Sequence, residues 1–171
     1  SILKSPDGNV EFNLITDHDQ FFYSIRFYGK RIIDRSEIKL VFADSFFCKN
    51  AKIEKIERHE INKDYTLMVG KTSKVSNRAN EMTAHLNSPN ESKWILRIRA
   101  YNEGIAFRYE FPKQQTKEYQ LIDELTEYNL DPNATAYALL LRNYTTSHEG
   151  LYTTSPIRDI PKEKLIDLPV L

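Results

Sequence analysis

Apolar residues recur at every second position through much of the chain. In residues 21–27, FFYSIRF, Phe21, Tyr23, Ile25 and Phe27 share one side, and Ser24 and Arg26 take the other. In 94–100, Trp94, Leu96, Ile98 and Ala100 oppose Arg97 and Arg99; in 105–111, Ile105, Phe107, Tyr109 and Phe111 oppose Arg108 and Glu110. A period of two is the pattern of a half-buried strand. Asn102-Glu103-Gly104 separates the last two runs, and Gly104 is expected to supply the positive φ of a tight turn, which predicts a hairpin. Glu110, on the same side as the arginines, makes that side a paired, structural face.

Further strands are predicted over 10–16, 31–42, 51–61, 65–70, 81–87, 119–129 and 136–141. Turn-forming stretches divide them: SPDGN at 5–9, TDHDQ at 16–20, NSPNES at 87–92 and LDPNA at 130–134. Residues 49–61 also carry helix-compatible spacing, but a charged edge strand fits better. Residues 161–168 predict a helical turn with Pro161 at its first position. Many short strands with at most short helical turns give an all-β fold, an antiparallel β-sandwich.

With 171 residues, 40% of them hydrophobic, the chain can bury a core. Its 24 basic and 24 acidic residues balance, which argues against a nucleic-acid or membrane-surface binder. No apolar run approaches the roughly 20 residues of a membrane span. The single cysteine, Cys48, reads as a buried structural thiol. The chain begins at SILKSPDGNV and stops at IDLPVL, and both ends read as cuts in a longer polypeptide.

The residues that could carry chemistry are scattered. His18, His59, His85 and His148 form no metal-ligand spacing, and Asp17-His18-Asp19 fits a hairpin turn better than a liganding cluster. With five glycines there is no phosphate loop. Asp123, Glu124 and Glu127 resemble the carboxylates that glycoside hydrolysis uses, but charges of this kind are routine on surface strands. Asn90, Asn133 and Asn143 stand in Asn-x-Ser/Thr tripeptides. Residues 142–154 are different: Tyr144, His148, Glu149 and Tyr152 crowd a stretch with little core pattern. That suits a sugar site or a domain interface, or an ordinary tyrosine-rich loop.

Several stretches, in order, resemble the N-terminal domain of glycoside hydrolase family 97. They are SPDGNVEFNL (5–14), FYSIRFYGKRIID (22–34), GKTSKVSNRANEMTAHL (70–86), IRAYNEGIAFRYEFP (98–112), DELTEYNL (123–130) and HEGLY (148–152). Gly70, Asn77, Asn80, Glu81 and Thr83 fall on family positions. The chain departs at Tyr137, where the family has tryptophan, at His148, where tyrosine is usual, and at Lys71, where glutamate is usual. The resemblance implies a β-super-sandwich of the galactose-mutarotase-like kind, ahead of a catalytic (β/α)8 barrel. Residues 1–171 would then be one domain, an incomplete N-terminal part of a larger α-glycosidase. The intact enzyme would hydrolyse α-glucosides or α-galactosides, use calcium at its active site, and reside in the periplasm or cell envelope of a Bacteroides-like bacterium. Its catalytic carboxylates would lie mainly in the barrel, and this stretch would hold no catalytic or metal residue.

On this basis Tyr144, His148, Glu149, Tyr152, Asn80 and Glu81 are the candidate carbohydrate or interdomain contacts. The expected partners are the chain's own barrel and an α-linked oligosaccharide, with dimerisation through exposed, truncated sheet edges. The alternative is a stand-alone carbohydrate-binding module using Trp94, Tyr101, Tyr144 and Tyr152 as a platform. A third reading is an adhesion-like sandwich.

Overall fold

The computed structural model describes residues 1–43, 50–88, 92–113 and 118–171. Cys48 and Asn90 lie outside the described residues. The chain divides into two compact units, Ser1–Asn129 and Leu130–Leu171.

The first unit holds two four-stranded antiparallel sheets. One has the order β1 (Ile2–Lys4), β2 (Val10–Asp17), β3 (Gln20–Phe27), β4 (Lys30–Ile38). The other has the order β6 (Lys52–Thr66), β7 (Lys74–Asn87), β8 (Lys93–Tyr101), β9 (Gly104–Glu110). β5 (Leu40–Phe42) pairs with β10 (Leu121–Glu124). Consecutive neighbours joined by short turns are what alternating runs separated by turn residues dictate.

The core is made of the apolar face of each sheet. Phe12, Leu14, Phe21 and Tyr23 from the first sheet cluster with Met82, Ala84, Leu86, Trp94, Leu96, Ile98 and Ala100 from the second. Ring contacts cross between the sheets: Tyr23 meets Phe107 at 5.5 Å and Phe21 meets Trp94 edge-on at 5.8 Å. The buried Tyr23 hydroxyl donates to the Glu127 carbonyl at 2.7 Å, and burial pushes its pKa up.

Turns fix the register. Asp17 pairs with Gln20, and Phe27 with Lys30, so each hairpin has a two-residue loop. His18 and Asp19 have φ of 46° and 62°, and Tyr28 and Gly29 have 48° and 76°. Positive φ at both central positions is the mirror-image turn whose twist matches the strands. In the SPDGN turn, Gly8 lies at φ 78° and the Asp7 carboxylate accepts from Ser5 Oγ at 2.5 Å and Asn9 N at 3.0 Å. The Asp7 amide donates to Asn102 Oδ1 at 3.2 Å, so the turns of the two most recognisable motifs touch.

Six expectations are corrected. The hairpin at 101–104 forms, with Tyr101 opposite Gly104, but Gly104 is an ordinary first strand residue and not at positive φ. The run 31–42 splits at Lys39 because its two parts pair with different partners. Strand 65–70 stops at Thr66; the apolar residues after it have no partner strand among the described residues and turn instead. Strand 119–129 shrinks to Leu121–Glu124, with Leu125 and Glu127 bonded singly to Lys39 and Glu37 carbonyls. Phe111 is 40% exposed and lies past the end of β9, so it is not core. The helical turn at 161–168 reduces to a single turn closed by Lys164 N to Pro161 O at 3.0 Å, followed by a short strand at Leu165–Ile166, and the 3-10 turn lies earlier, at Ile157–Asp159.

In the second unit β11 (Thr135–Ala138) pairs with β13 (Thr153–Pro156), and β12 (Leu140–Leu141) with β14 (Leu165–Ile166). The 3-10 turn at Ile157–Asp159 is its one helical feature among the described residues. No helix among the described residues is long and apolar enough to cross a membrane.

Candidate functional site

The second sheet turns its polar side away from the core, and there the arginines of β8 find carboxylates. Register places Glu81 opposite Arg99 and Thr83 opposite Arg97. Alternation puts all four on one face. The Glu81 residue, 4% exposed, receives Arg97 at 2.7 Å on one oxygen and Arg99 at 2.6 Å on the other. Arg97 also holds Glu110 with two bonds, at 2.7 and 3.0 Å, and reaches Thr83 Oγ1 at 3.1 Å. Arg108 closes the row on Glu110 at 2.6 Å.

This network sets protonation. Burial pushes the Glu81 carboxyl up, but the bonds from Arg99 and Arg97 outweigh it and hold its pKa below the usual range. The Arg97 bonds, helped by Arg108, pull Glu110 down to about 2. The same bonds raise Arg97 further. Carboxylates so engaged stay ionised and spend their acceptor capacity on arginine, which suits them to lock a sheet rather than to shuttle protons. The arginine face is therefore paired, and its central partner is Glu81, which pattern reading within β8 and β9 could not supply.

Asn80, beside Glu81 but on the other face, donates from Nδ2 to the Lys4 carbonyl at 2.9 Å and ties β7 to β1. Both line a groove of about 320 Å³ with Ile2, Lys4, Arg58 and His59. Elsewhere in this unit Asp17 pairs with Arg35 and with His18 at 2.6 Å. Glu57 bonds Lys55 at 2.5 Å and His85 at 2.9 Å, and these bonds lower its pKa to about 2. Asp123 and Glu124 each accept a local bond, from Glu124 N and Thr126 Oγ1, and Glu127 accepts one from Glu37 N on β4. Among the described residues there is no group of three or more His, Cys, Asp or Glu able to hold a metal ion.

A cleft of about 450 Å³ opens at the ends of the two sheets. Phe21, Ile38, Phe42, Trp94 and Tyr109 form its apolar lining, with Gln20 and Glu37 as polar members. Trp94 is core, at 3% exposure, and its buried Nε1 has no hydrogen-bond partner among the described residues.

The other four candidates lie in the second unit, on the loop from β12 to β13. His148, at φ 56°, faces Asp167 with Nδ1 to Oδ1 at 3.2 Å. Glu149 is exposed, Tyr144 is 82% exposed and Tyr152 48%. Asn143 caps its own turn, accepting from Thr145 N and Oγ1 at 3.0 Å each. The structure thus joins His148 to an aspartate the sequence did not single out, and leaves the two tyrosines open to solvent.

Comparison with known proteins agrees with this architecture. The family model described as Glycosyl-hydrolase 97 N-terminal matches residues 3–171. A retaining alpha-galactosidase of Bacteroides thetaiotaomicron is 27% identical over 179 aligned residues, covering 99% of this chain and 26% of that protein. A glycoside hydrolase family 97 enzyme from Pseudoalteromonas sp. strain K8, solved with acarbose, superposes with TM-score 0.83 at 28% identity, covering 93% of this chain and 25% of that one. A beta-arabinopyranosidase structure gives TM-score 0.73 at 26% identity, covering 82% and 22%. The chain spans about a quarter of the length of these relatives.

Proposed function

The chain belongs to the glycosyl-hydrolase 97 N-terminal family, and from that membership we propose that it is the non-catalytic β-sandwich part of an α-glycosidase. It packs on a catalytic (β/α)8 barrel and helps to shape the sugar pocket. The match over residues 3–171, against relatives four times as long, carries this reading. The intact enzyme then hydrolyses an α-glucoside or α-galactoside in the periplasm or cell envelope, its barrel carboxylates protonating the leaving oxygen and activating water or attacking the anomeric carbon. Tyr144, His148, Glu149, Tyr152, Asn80 and Glu81 belong to this proposal as carbohydrate or interdomain contacts. So does dimerisation of the isolated chain through its open sheet edges.

Calcium does not fit the described residues. It asks for six to eight oxygen ligands, whereas Glu81 and Glu110 are committed to three guanidinium groups that repel a dication. Calcium belongs to this proposal only as the family resemblance implies it, held by the intact enzyme.

A second reading, a carbohydrate-binding module, is favoured by the cleft of about 450 Å³ with Phe21, Phe42, Trp94 and Tyr109 in its lining. One experiment separates them. Full-length enzyme and the 171-residue chain are assayed on aryl α-glucoside and α-galactoside, and the chain is titrated with maltose and melibiose while its single tryptophan is followed. Turnover by the full-length enzyme alone, with no fluorescence change in the chain, is expected. Saturable binding by the isolated chain transfers the function to the module.

A further inference from the structure

β6 and β7 are longer than the sheet they belong to. They pair from Lys52 with Asn87 to Thr66 with Lys74, while β8 follows β7 only from Asn87 back to Asn80. Beyond Ala79 the pair continues with no third strand among the described residues, as a two-stranded arm roughly 20 Å long at 3.4 Å per residue. Such a ribbon is marginal in water unless something packs on it.

The arm is nevertheless carefully built. Arg78 binds Asp64 at 2.8 Å and the Lys63 carbonyl at 2.9 Å, and Ser76 Oγ donates to Asp64 at 2.8 Å. Its loop is closed by Leu67 N to Ser73 O at 2.8 Å, and Gly70 at φ 117° takes a conformation that L residues rarely adopt. What the arm presents at its end is apolar: Leu67 is 44% exposed, Met68 99% and Val69 85%, with Tyr65 at 48% just below. Three consecutive solvent-facing apolar residues on a projecting, backbone-fixed tip mark a contact surface.

Two observations choose the occupant. First, relatives of this chain are four times its length, so the remainder of the polypeptide is present at high effective concentration. Second, residues 62–78 carry Lys63, Lys71, Lys74 and Arg78 against the single Asp64. Two such basic arms repel one another, which disfavours tip-to-tip pairing of copies.

We propose that the β6–β7 hairpin is a docking arm. Its Leu67-Met68-Val69 tip seats in an apolar depression, rimmed by carboxylates, on the catalytic domain of the same polypeptide. This rests on the reading under Proposed function and adds to it the element that makes the contact.

The test uses full-length enzyme. Wild type, M68D/V69D, the milder M68S/V69S and K71E/K74E are compared by limited proteolysis between domains and by amide exchange at 65–74. Both tip variants alter residues that touch little in this unit, so they leave its fold in place. M68D/V69D is expected to speed interdomain cleavage and tip exchange at least about tenfold, the scale of a lost hot spot. M68S/V69S and K71E/K74E should act in the same direction, K71E/K74E most at low salt. Wild-type cleavage and exchange in M68D/V69D overturn the docking arm. If removing residues 1–171 still abolishes activity, the domain assignment survives that result. A full-length dimer that M68D/V69D converts to monomer also overturns the proposal, in favour of contact between copies.

Discussion

The carboxylate of Glu81 is held between two guanidinium groups in a position almost closed to water. Removing Glu81 takes from Arg99 its carboxylate and leaves Arg97 with Glu110 alone. Glu81→Ala should therefore destabilise by about 2–3 kcal/mol, below the roughly 3–5 of a sealed pair because Arg97 and Arg99 keep some contact with water. Acid should act on the same row. The pKa values of Glu81 and Glu110 are lower folded than unfolded, Glu110 reaching about 2. Their contribution is thus complete above the unfolded value of about 4.3 and is lost as pH falls from there toward 2. Denaturant midpoints measured down that range should decline less steeply for Glu110→Gln than for the parent. An identical acid limb would remove Glu110 from the network. The sequence showed Arg97, Arg99, Arg108 and Glu110 on one face because alternation within a hairpin is local information. It could not show Glu81, whose place opposite Arg99 depends on how β7 registers against β8.

At the scale of elements, two hairpins with two-residue loops use different backbone conformations. Gly29 occupies φ 76°, whereas Gly104 begins β9 in an ordinary conformation with nothing within 4 Å of where a Cβ would stand. Gly104→Ala should stabilise by about 0.4–1 kcal/mol, since it restricts only the unfolded chain. Gly29→Ala should destabilise by about 1 kcal/mol, through the positive φ it cannot hold cheaply. Thermal melts of the two variants must move in opposite directions for this account of the turns to stand. Strand positions were legible wherever alternation was strong, as in 21–27, 94–100 and 105–111. They were misjudged where apolar residues run together or where pairing switches partner. LMVG, at 67–70, has strand-like residues but no neighbouring strand among the described residues, and it becomes the exposed tip of the arm. LVF, at 40–42, leaves the sheet of β4 to pair with β10.

For the whole molecule, the two compact units differ in what they can sustain. Ser1–Asn129 contains the large apolar cluster between two four-stranded sheets. Leu130–Leu171 has only two-stranded ladders and buries Ala136, Ala138, Leu139 and Leu141. A segment of that size with so small a core falls short of independent stability. Ser1–Asn129 produced alone should keep a buried, blue-shifted Trp94 emission and dispersed amide resonances. Leu130–Leu171 alone should give the narrow amide spectrum of an unfolded chain, and a dispersed one would show that it folds by itself.

The sequence by itself determined the all-β class, most strand positions, the two faces of each strand and the motifs that mark the family. All of these follow from periodicity and short-range turn chemistry, which act over a few residues. Tertiary structure alone decided that Glu81 answers the arginines, that Trp94 borders a cleft, and that β6 and β7 outrun their sheet. Each of these is a matter of register and neighbours between segments far apart in the chain. A residue's own pattern cannot encode which strand will lie beside it, or where that strand will stop.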